Sequence, residues 1–213
     1  MTKKETPAAG DAVGARKERK LEHLLSVAAG LMAEQGYAQT TIRDVSRRTG
    51  YSLAGMYYYF ENKEDLLYQI QHRTFASLLA AQERVVAGPA TPEEKLRQLV
   101  DNHLVHFSRY ASELKVCTFE LQTLEADRYG TIAELRRRYF KCVASVIAGI
   151  IGGSDPAAVR RYTLLIFGML NWIFMWYDPA RDGDVSTLGE EMMALVAGGL
   201  PGWQSDRARK DGV

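Results

Sequence analysis

No stretch of this chain approaches the roughly 18 consecutive apolar residues that a membrane-spanning helix needs. The opening MTKKETPAAGDAVGARKERK carries charge and small residues where a signal peptide would carry an apolar core. No membrane association is expected, and the cytoplasm is the expected compartment. Cysteine is nearly absent: Cys117 and Cys142 are the only two, each in an apolar helical pattern, and neither has the CxxC or Cys-His companion of a zinc site. Both are read as buried thiols. Also missing are GxSxG, HExxH, a P-loop and a dinucleotide fingerprint, so neither enzymatic activity nor a cofactor is expected. No alternating apolar and polar run marks a strand, and no repeat of solenoid period is present. Net charge is lacking too, at +1, so bulk electrostatics selects no partner.

What remains is 213 residues, 46% hydrophobic and 25% charged, enough to bury a core in one or two domains. The apolar residues recur almost everywhere with helical period, which makes the fold class all-α, with about nine helices. Leu21, Leu24, Leu25, Ala28, Leu31 and Met32 form one face of a first helix, closed by Gly36. Ile42, Val45 and Thr49 mark a short second helix, with Thr40 or Thr41 as N-cap and Gly50 beyond it. Ser52 caps a very short third. Asn62, followed three residues later by Asp65, opens a long fourth helix over about 63–87, and Thr91-Pro92-Glu93-Glu94 opens the next. Further helices are expected at about 93–109, 112–126, 130–151, 156–177 and 186–200. Basic residues lean toward the N-terminal part: residues 1–60 hold 9 basic and 6 acidic side chains, against 18 and 20 in the rest. Arg16, Lys17, Arg19 and Lys20 form the densest cluster, either a solvated helix start or a phosphate-facing arm.

The stretch TTIRDVSRRTGYSLAGMYYYFENKEDLL places two short helices around Gly50-Tyr51-Ser52, the spacing of a helix-turn-helix. Gly50 supplies tolerance of positive φ, and Ala54 and Gly55 keep the second helix slim. Val45, Met56 and Phe60 anchor it, and Tyr58 is expected to pack in the same core.

This segment, together with the first helix ending LMAEQGYAQTT, resembles the N-terminal domain of the TetR family of transcriptional repressors. The carriers are the threonine pair, Ile42-Arg43-Asp44-Val45, the Tyr57-Tyr58-Tyr59-Phe60 ending and Asn62-Lys63-Glu64-Asp65-Leu66-Leu67. The departures are Ser46, where alanine is usual, and Tyr51, where valine is usual. The resemblance implies a DNA-binding domain over 16–62 and a ligand-binding and dimerisation domain over 63–203. Residues 1–15 are read as a disordered arm and 204–213 as a flexible tail.

Carried onto this sequence, the resemblance implies that Thr41, Ser52, Tyr57, Tyr59 and Lys63 meet DNA phosphates and that Arg43 reads a guanine. The recognition helix has few long polar side chains. Readout is therefore expected from close backbone approach at Gly55, from Leu53 or Ala54 against a thymine methyl, and from Arg43, Tyr51 and Tyr57. Arg47 and Arg48 are read as a solvated face rather than as DNA contacts.

The implied partners are double-stranded operator DNA, a second copy through the last two helices (about 156–177 and 186–200), and a small hydrophobic effector. Val159, Tyr162, Leu165, Ile166, Met169, Leu170, Ile173, Leu188, Met192, Leu195 and Val196 give those helices more apolar surface than one side of a small bundle needs. Aromatic density peaks at Phe167, Trp172, Phe174 and Trp176, a stripe that suits core or interface as readily as a pocket. The segment is similar to the corresponding helix of TetR-like regulators that respond to acyl-coenzyme A thioesters. An expected effector pocket collects His103, Phe107, Arg136, Tyr139, Phe140, Val143, Phe167, Leu170, Trp172, Phe174 and Trp176, with the run Arg136-Arg137-Arg138, not all of which can face one ligand, supplying basic groups for effector phosphates. His103 and His106 share a helix face, but with only Glu120 as a third ligand no metal is expected. The reading is a repressor released from a palindromic operator by its effector, with the fourth helix as lever. The alternative is a lipid-thioester-binding protein with a vestigial helix-turn-helix.

Overall fold

The structure, a computed structural model, describes residues 9–198, with side chains from Gly14 onward. The expected tail at 204–213 and residues 1–8 of the expected arm lie outside these residues. Helix α1 spans Ala9–Gln35, followed by α2 (Ile42–Thr49), α3 (Leu53–Met56), α4 (Lys63–Ala87) and α5 (Pro92–Arg109). Beyond these lie α6 (Ala111–Phe119), α7 (Ala126–Ile151), α8 (Pro156–Asn171), the short α9 (Pro179–Asp182) and α10 (Val185–Gly198). Ten α-helices and two 3-10 turns, with no strand, make up the described residues.

The cap chemistry sets most boundaries. Thr41 and Asp44 form a reciprocal capping box at α2, and Gly50 ends that helix at φ 72°, a left-handed conformation open to glycine at little cost. Asn62 Oδ1 accepts from Asp65 N–H at 2.7 Å, while the Asp65 carboxylate accepts from Glu61 N–H at 3.0 Å. Thr91 and Glu94 make a second capping box, and Asp155 caps α8 before Pro156. Where caps are weaker, the expected boundaries shift. The helix expected at 112–126 stops at Phe119 and gives way to a 3-10 turn, Leu121–Thr123, after which α7 begins at Ala126 rather than 130. The helix expected to run to 177 stops at Asn171, followed by the turn Ile173–Met175. No glycine or proline marks either break. Helix α1 also starts within the stretch expected to be a disordered arm.

Two compact units result. One holds the described residues up to Leu79 together with Tyr110–Arg138; the other holds Ala80–Arg109 together with the residues from Tyr139 onward. The packing boundary therefore differs from the 62/63 division implied by the sequence motif. Helix α6 lies along α1, and its Val116, with Leu124 and Ile132, completes a core made by Leu24, Ala28, Val45, Met56, Phe60, Leu66, Leu67 and Ile70. Fully burying each of these side chains larger than alanine contributes about 1.5–3 kcal/mol. The end of α1 is held by two lysines: Lys115 Nζ donates to Ala33 O at 2.7 Å, and Lys63 Nζ donates to Tyr37 O and Ala38 O at 3.0 and 3.3 Å. Arg128, at the start of α7, bridges Glu64 and Asp65 at 3.2 Å each.

In the second unit α5 pairs with α10, and Gly189 permits the close approach, since a Cβ there would fall 2.6 Å from Asp101 Oδ1. Leu99, Leu104, Phe107, Val143, Ile166 and Leu170 are buried within it. Among the described residues no single helix is long and apolar enough to cross a membrane.

Candidate functional site

The first candidate surface is the outer face of α2 and α3. Ser46 Oγ donates to the Tyr51 carbonyl at 2.5 Å, and Ser52 Oγ accepts from Gly55 N–H at 3.1 Å, so the turn and the start of α3 are pinned from both sides. Ser46 and Tyr51, the two departures noted in the sequence, thus meet each other. With Val45, Met56 and Phe60 directed inward, Arg43, Ser52, Leu53, Ala54 and Tyr57 are left exposed, and Tyr51, Gly55 and Tyr59 half-buried. Arg43 carries no ion pair among the described residues, whereas Arg47 bridges Asp44 and Arg48 lies 3.6 Å from Glu34. Hydrogen bonds from the Thr41 hydroxyl and backbone N–H, with Arg47 adding its charge, hold the Asp44 carboxyl below its ordinary range.

Three expected side chains fall differently. Tyr58 is 68% exposed rather than packed in the core, because Met56 and Phe60 already fill the space beneath α3 and turn the intervening ring outward. Lys63 directs its ammonium to the two carbonyls after α1 and lies 4.2 Å over the Tyr37 ring, so a phosphate would find only its remaining donor. Thr41 commits its hydroxyl proton to Asp44 Oδ2 at 2.6 Å. Sequence reasoning missed how close the basic side chains of α1 come to this face: Lys17 Nζ lies 4.7 Å over the Tyr58 ring and Lys20 Nζ 5.9 Å over Tyr51.

The expected effector residues separate into groups. Arg136 belongs to the first unit, with its guanidinium 5.5 Å over the Phe75 ring. Nearby, Cys117 is buried, and burial pushes its thiol up to about 12. Cys142 is only half-buried, because its position on α7 is not fully covered, contrary to the expectation of two buried thiols. In the second unit His103, Phe107, Tyr139, Val143 and Leu170 are buried, and the rings of His103, Tyr139, Phe140 and Phe167 run together at centroid spacings of 5.0 to 6.1 Å. A polar chain threads this interior: Tyr139 Oη lies 2.8 Å from His103 Nδ1, and Gln82 Nε2 donates to Leu99 O at 3.0 Å and to Tyr139 Oη at 3.4 Å. Desolvation first, then His106, lowers His103 to about 3, so the ring is neutral, although the Leu170 carbonyl opposes the shift. Which of Nδ1 and the Tyr139 hydroxyl donates follows the ring's tautomer, and Nε2 meets no partner in hydrogen-bond geometry. Gln82 and Asn102 were not singled out from sequence, although Gln82 interrupts the apolar stripe of α4 and that break was the available signal.

Trp172 and Trp176 lie apart from that interior. They are 51% and 45% exposed and line an open cleft of about 660 Å³ with Leu104, Met169, Met192 and Leu195. Phe174 packs near Trp172, at 5.9 Å. Of the residues proposed for a spare apolar face, Ile166, Leu170, Ile173 and Met192 are buried inside the unit, while Tyr162, Leu165, Leu195 and Val196 are exposed. Among the described residues no group of three His, Cys, Asp or Glu side chains is placed to hold a metal.

Comparison with known proteins fits this geometry. The family model described as bacterial regulatory proteins, tetR family, matches residues 24–70, and that of the tetracyclin repressor-like C-terminal domain matches residues 89–200. The chain is 26% identical over 201 residues to the HTH-type transcriptional repressor KstR2 of Rhodococcus jostii (strain RHA1), covering 92% of this chain and 97% of that protein. The crystal structure of a TetR-family transcriptional regulator from Bordetella parapertussis 12822 superimposes with a TM-score of 0.82 at 25% identity, covering 88% and 99% of the two chains. AibR in complex with isovaleryl coenzyme A and operator DNA shares the fold at a TM-score of 0.71 and 22% identity, covering 82% and 96%.

Proposed function

The chain belongs to the TetR family of bacterial regulatory proteins, and from that premise we propose that it is a homodimeric repressor released from a palindromic operator by a small hydrophobic effector. That it is a DNA-binding transcriptional regulator follows from the family; the dimer, the contact residues and the effector are our reading. The observation that carries it is the outward face of α2 and α3. Arg43 stands there without an ion pair and Tyr57 is 55% exposed, on a domain whose other large side chains are mostly packed away. An unpaired guanidinium and an exposed phenol on a rigid, capped pair of helices suit guanine and phosphate. Tyr51, Ser52, Leu53, Ala54, Gly55 and Tyr59 complete the footprint, with Thr41 and Lys63 at its margins.

One such domain makes a small footprint, and two-fold symmetry gives a pseudo-palindromic operator read about one helical turn apart. The exposed Tyr162, Leu165, Leu195 and Val196 support α8 and α10 as the self-complementary surface. The cleft, lined by the exposed Trp172 and Trp176, shares Leu195 with that surface, so side chains of a second copy are its natural filling.

For the effector, the aromatic interior around His103, Phe107, Tyr139, Phe140 and Phe167 supports an apolar or aromatic acid moiety. The AibR complex makes an acyl-coenzyme A thioester the favoured class. The effector must bind the DNA-incompetent state better, and operator must then weaken effector binding by the same factor.

The test is fluorescence anisotropy on the DNA upstream of the protein's own gene, with and without acyl-coenzyme A thioesters of graded chain length, their free acids and coenzyme A. Thioester-specific release supports the reading. Equal thioester affinity with and without operator overturns the mechanism, and salt-insensitive or absent DNA binding favours a vestigial helix-turn-helix.

A further inference from the structure

Helix α1 sorts its charges. At 100° per residue, Lys17 and Lys20 lie on one side of the midline of the apolar stripe Leu21, Leu24, Leu25 and Ala28, Lys17 close to it and Lys20 at its flank, and Glu18 and Glu22 lie on the other side. The acidic flank is neutralised by one residue of α4: Arg73 bridges Glu18 and lies 3.6 Å from Glu22. The basic flank has no such partner, as neither Lys17 nor Lys20 makes an ion pair among the described residues.

Both ammonium groups rest instead on rings of the helix-turn-helix. Lys17 Nζ sits 4.7 Å from the centroid of Tyr58, and Lys20 Nζ 5.9 Å from that of Tyr51. Tyr51 also makes an edge contact with His23 at 6.3 Å, and its carbonyl is held by Ser46. A ring attracts a cation through its π face and, unlike a carboxylate, leaves its charge uncancelled. The two lysines are thereby fixed at the two ends of α3, one beside the residue preceding its N-cap and the other just past its C-cap.

We propose that Lys17 and Lys20, positioned by Tyr58 and Tyr51, form a further phosphate-binding element of the DNA face, extending it from α2 and α3 onto α1. The proposal rests on the DNA-binding reading and adds to it. Arg73, by pairing with Glu18 and Glu22, holds the acidic side chains of this part of α1 on α4 and away from the lysines' side of the helix. Tyr58 has a role that its position in the sequence hid, since its exposed ring is the seat of a cation. The element reads no base, so its contribution is independent of DNA sequence.

The test is the salt dependence of binding by the full-length protein, measured by fluorescence anisotropy on two duplexes of roughly 30 base pairs, one from upstream of its own gene and one unrelated. In Lys17→Gln/Lys20→Gln the slope of log affinity against log salt should shrink by about 0.9 per lost phosphate contact, or about 2 per bound protomer, equally on both duplexes. Tyr58→Phe, which keeps the ring, should leave the slope near wild type. Tyr58→Leu should lose about one contact. Thermal melting of each variant guards against misfolding as the cause. An unchanged slope in the double lysine variant, with wild type still binding in a salt-sensitive way, overturns this proposal and leaves the DNA-binding reading standing. If wild-type binding is itself insensitive to salt, both fall.

Discussion

Tyr57 and Tyr58 in the first unit and Trp172 and Trp176 in the second are all aromatic and all roughly half exposed, at 55, 68, 51 and 45%. Their surroundings differ. The tyrosines carry hydroxyls, Lys17 lies over the Tyr58 ring and Lys20 over that of Tyr51, and Arg43 of α2 makes no ion pair among the described residues. The tryptophans line a cleft of leucine and methionine in which Glu191 is the one charged side chain. A face of phenols and uncancelled cations suits a polyanion, and a face of indoles and aliphatic chains suits apolar surface. Exposure alone thus marks both as interaction surfaces, and the neighbouring charge says which kind.

The comparison breaks most sharply on the apolar side. Leu165, 63% exposed on α8, should tolerate a charge in the isolated chain but not in a self-complementary interface. Leu165→Glu is expected to run as a monomer in analytical ultracentrifugation, with an unchanged melting profile and operator affinity lower by about 100-fold or more through lost bivalency. A dimer that survives this change would move the interface elsewhere.

On the polar side, Arg43→Ala should cost about 1–3 kcal/mol of discrimination at one base pair, read by anisotropy on base-substituted duplexes, and leave melting unaltered. Lys63→Ala separates the two roles seen for that lysine. Losing its bonds to Tyr37 and Ala38 should lower stability by about 1 kcal/mol, with a smaller effect on DNA affinity. Identical profiles for the two variants would erase the distinction between a reading residue and a fastening one.

Acid should distinguish the interiors. His103 has an ordinary value of 6.5 and is lowered to about 3 by burial in the second unit, and His106 shifts in the same direction. Above 6.5 neither state carries the proton, and the stability is fully present. As pH falls from 6.5 toward 3 the unfolded chain takes up the proton and the folded chain does not, so stability falls by up to about 1.4 kcal/mol per pH unit for this group. Urea unfolding between about pH 7 and pH 5 should show that slope, flattened in His103→Phe. A slope unaffected by the substitution would mean that other groups govern the acid response.

The smallest expected effect concerns Gln71, fully buried on α4 with neither amide atom hydrogen-bonded. Removing such a group relieves an unmet desolvation cost, so Gln71→Met should stabilise by about 1 kcal/mol in urea unfolding. A clear loss of stability would show that a partner for the amide forms in solution.

Much of this was legible in the sequence because it depends on local chemistry. The capping pairs Thr41 with Asp44 and Thr91 with Glu94, the left-handed Gly50 and the buried Val45, Met56 and Phe60 all follow from residues within a few positions of one another. The ends of α6 and α8 were not legible, because neither carries a glycine or proline to mark it. Tyr58 was misread for a related reason: three successive tyrosines look alike in sequence, and only the space already filled by Met56 and Phe60 decides which ring turns outward.

The sequence by itself determined an all-helical chain with a capped helix-turn-helix, since caps, turns and periodic apolar faces act over one or two helical turns. Only the tertiary structure decided that α6 and the start of α7 pack with the N-terminal helices. It also decided that Arg136 belongs to that unit while His103 and Tyr139 belong to the other, and that Lys63 fastens α1. Those placements join residues tens of positions apart, where the sequence records the side chains but not the packing that brings them together.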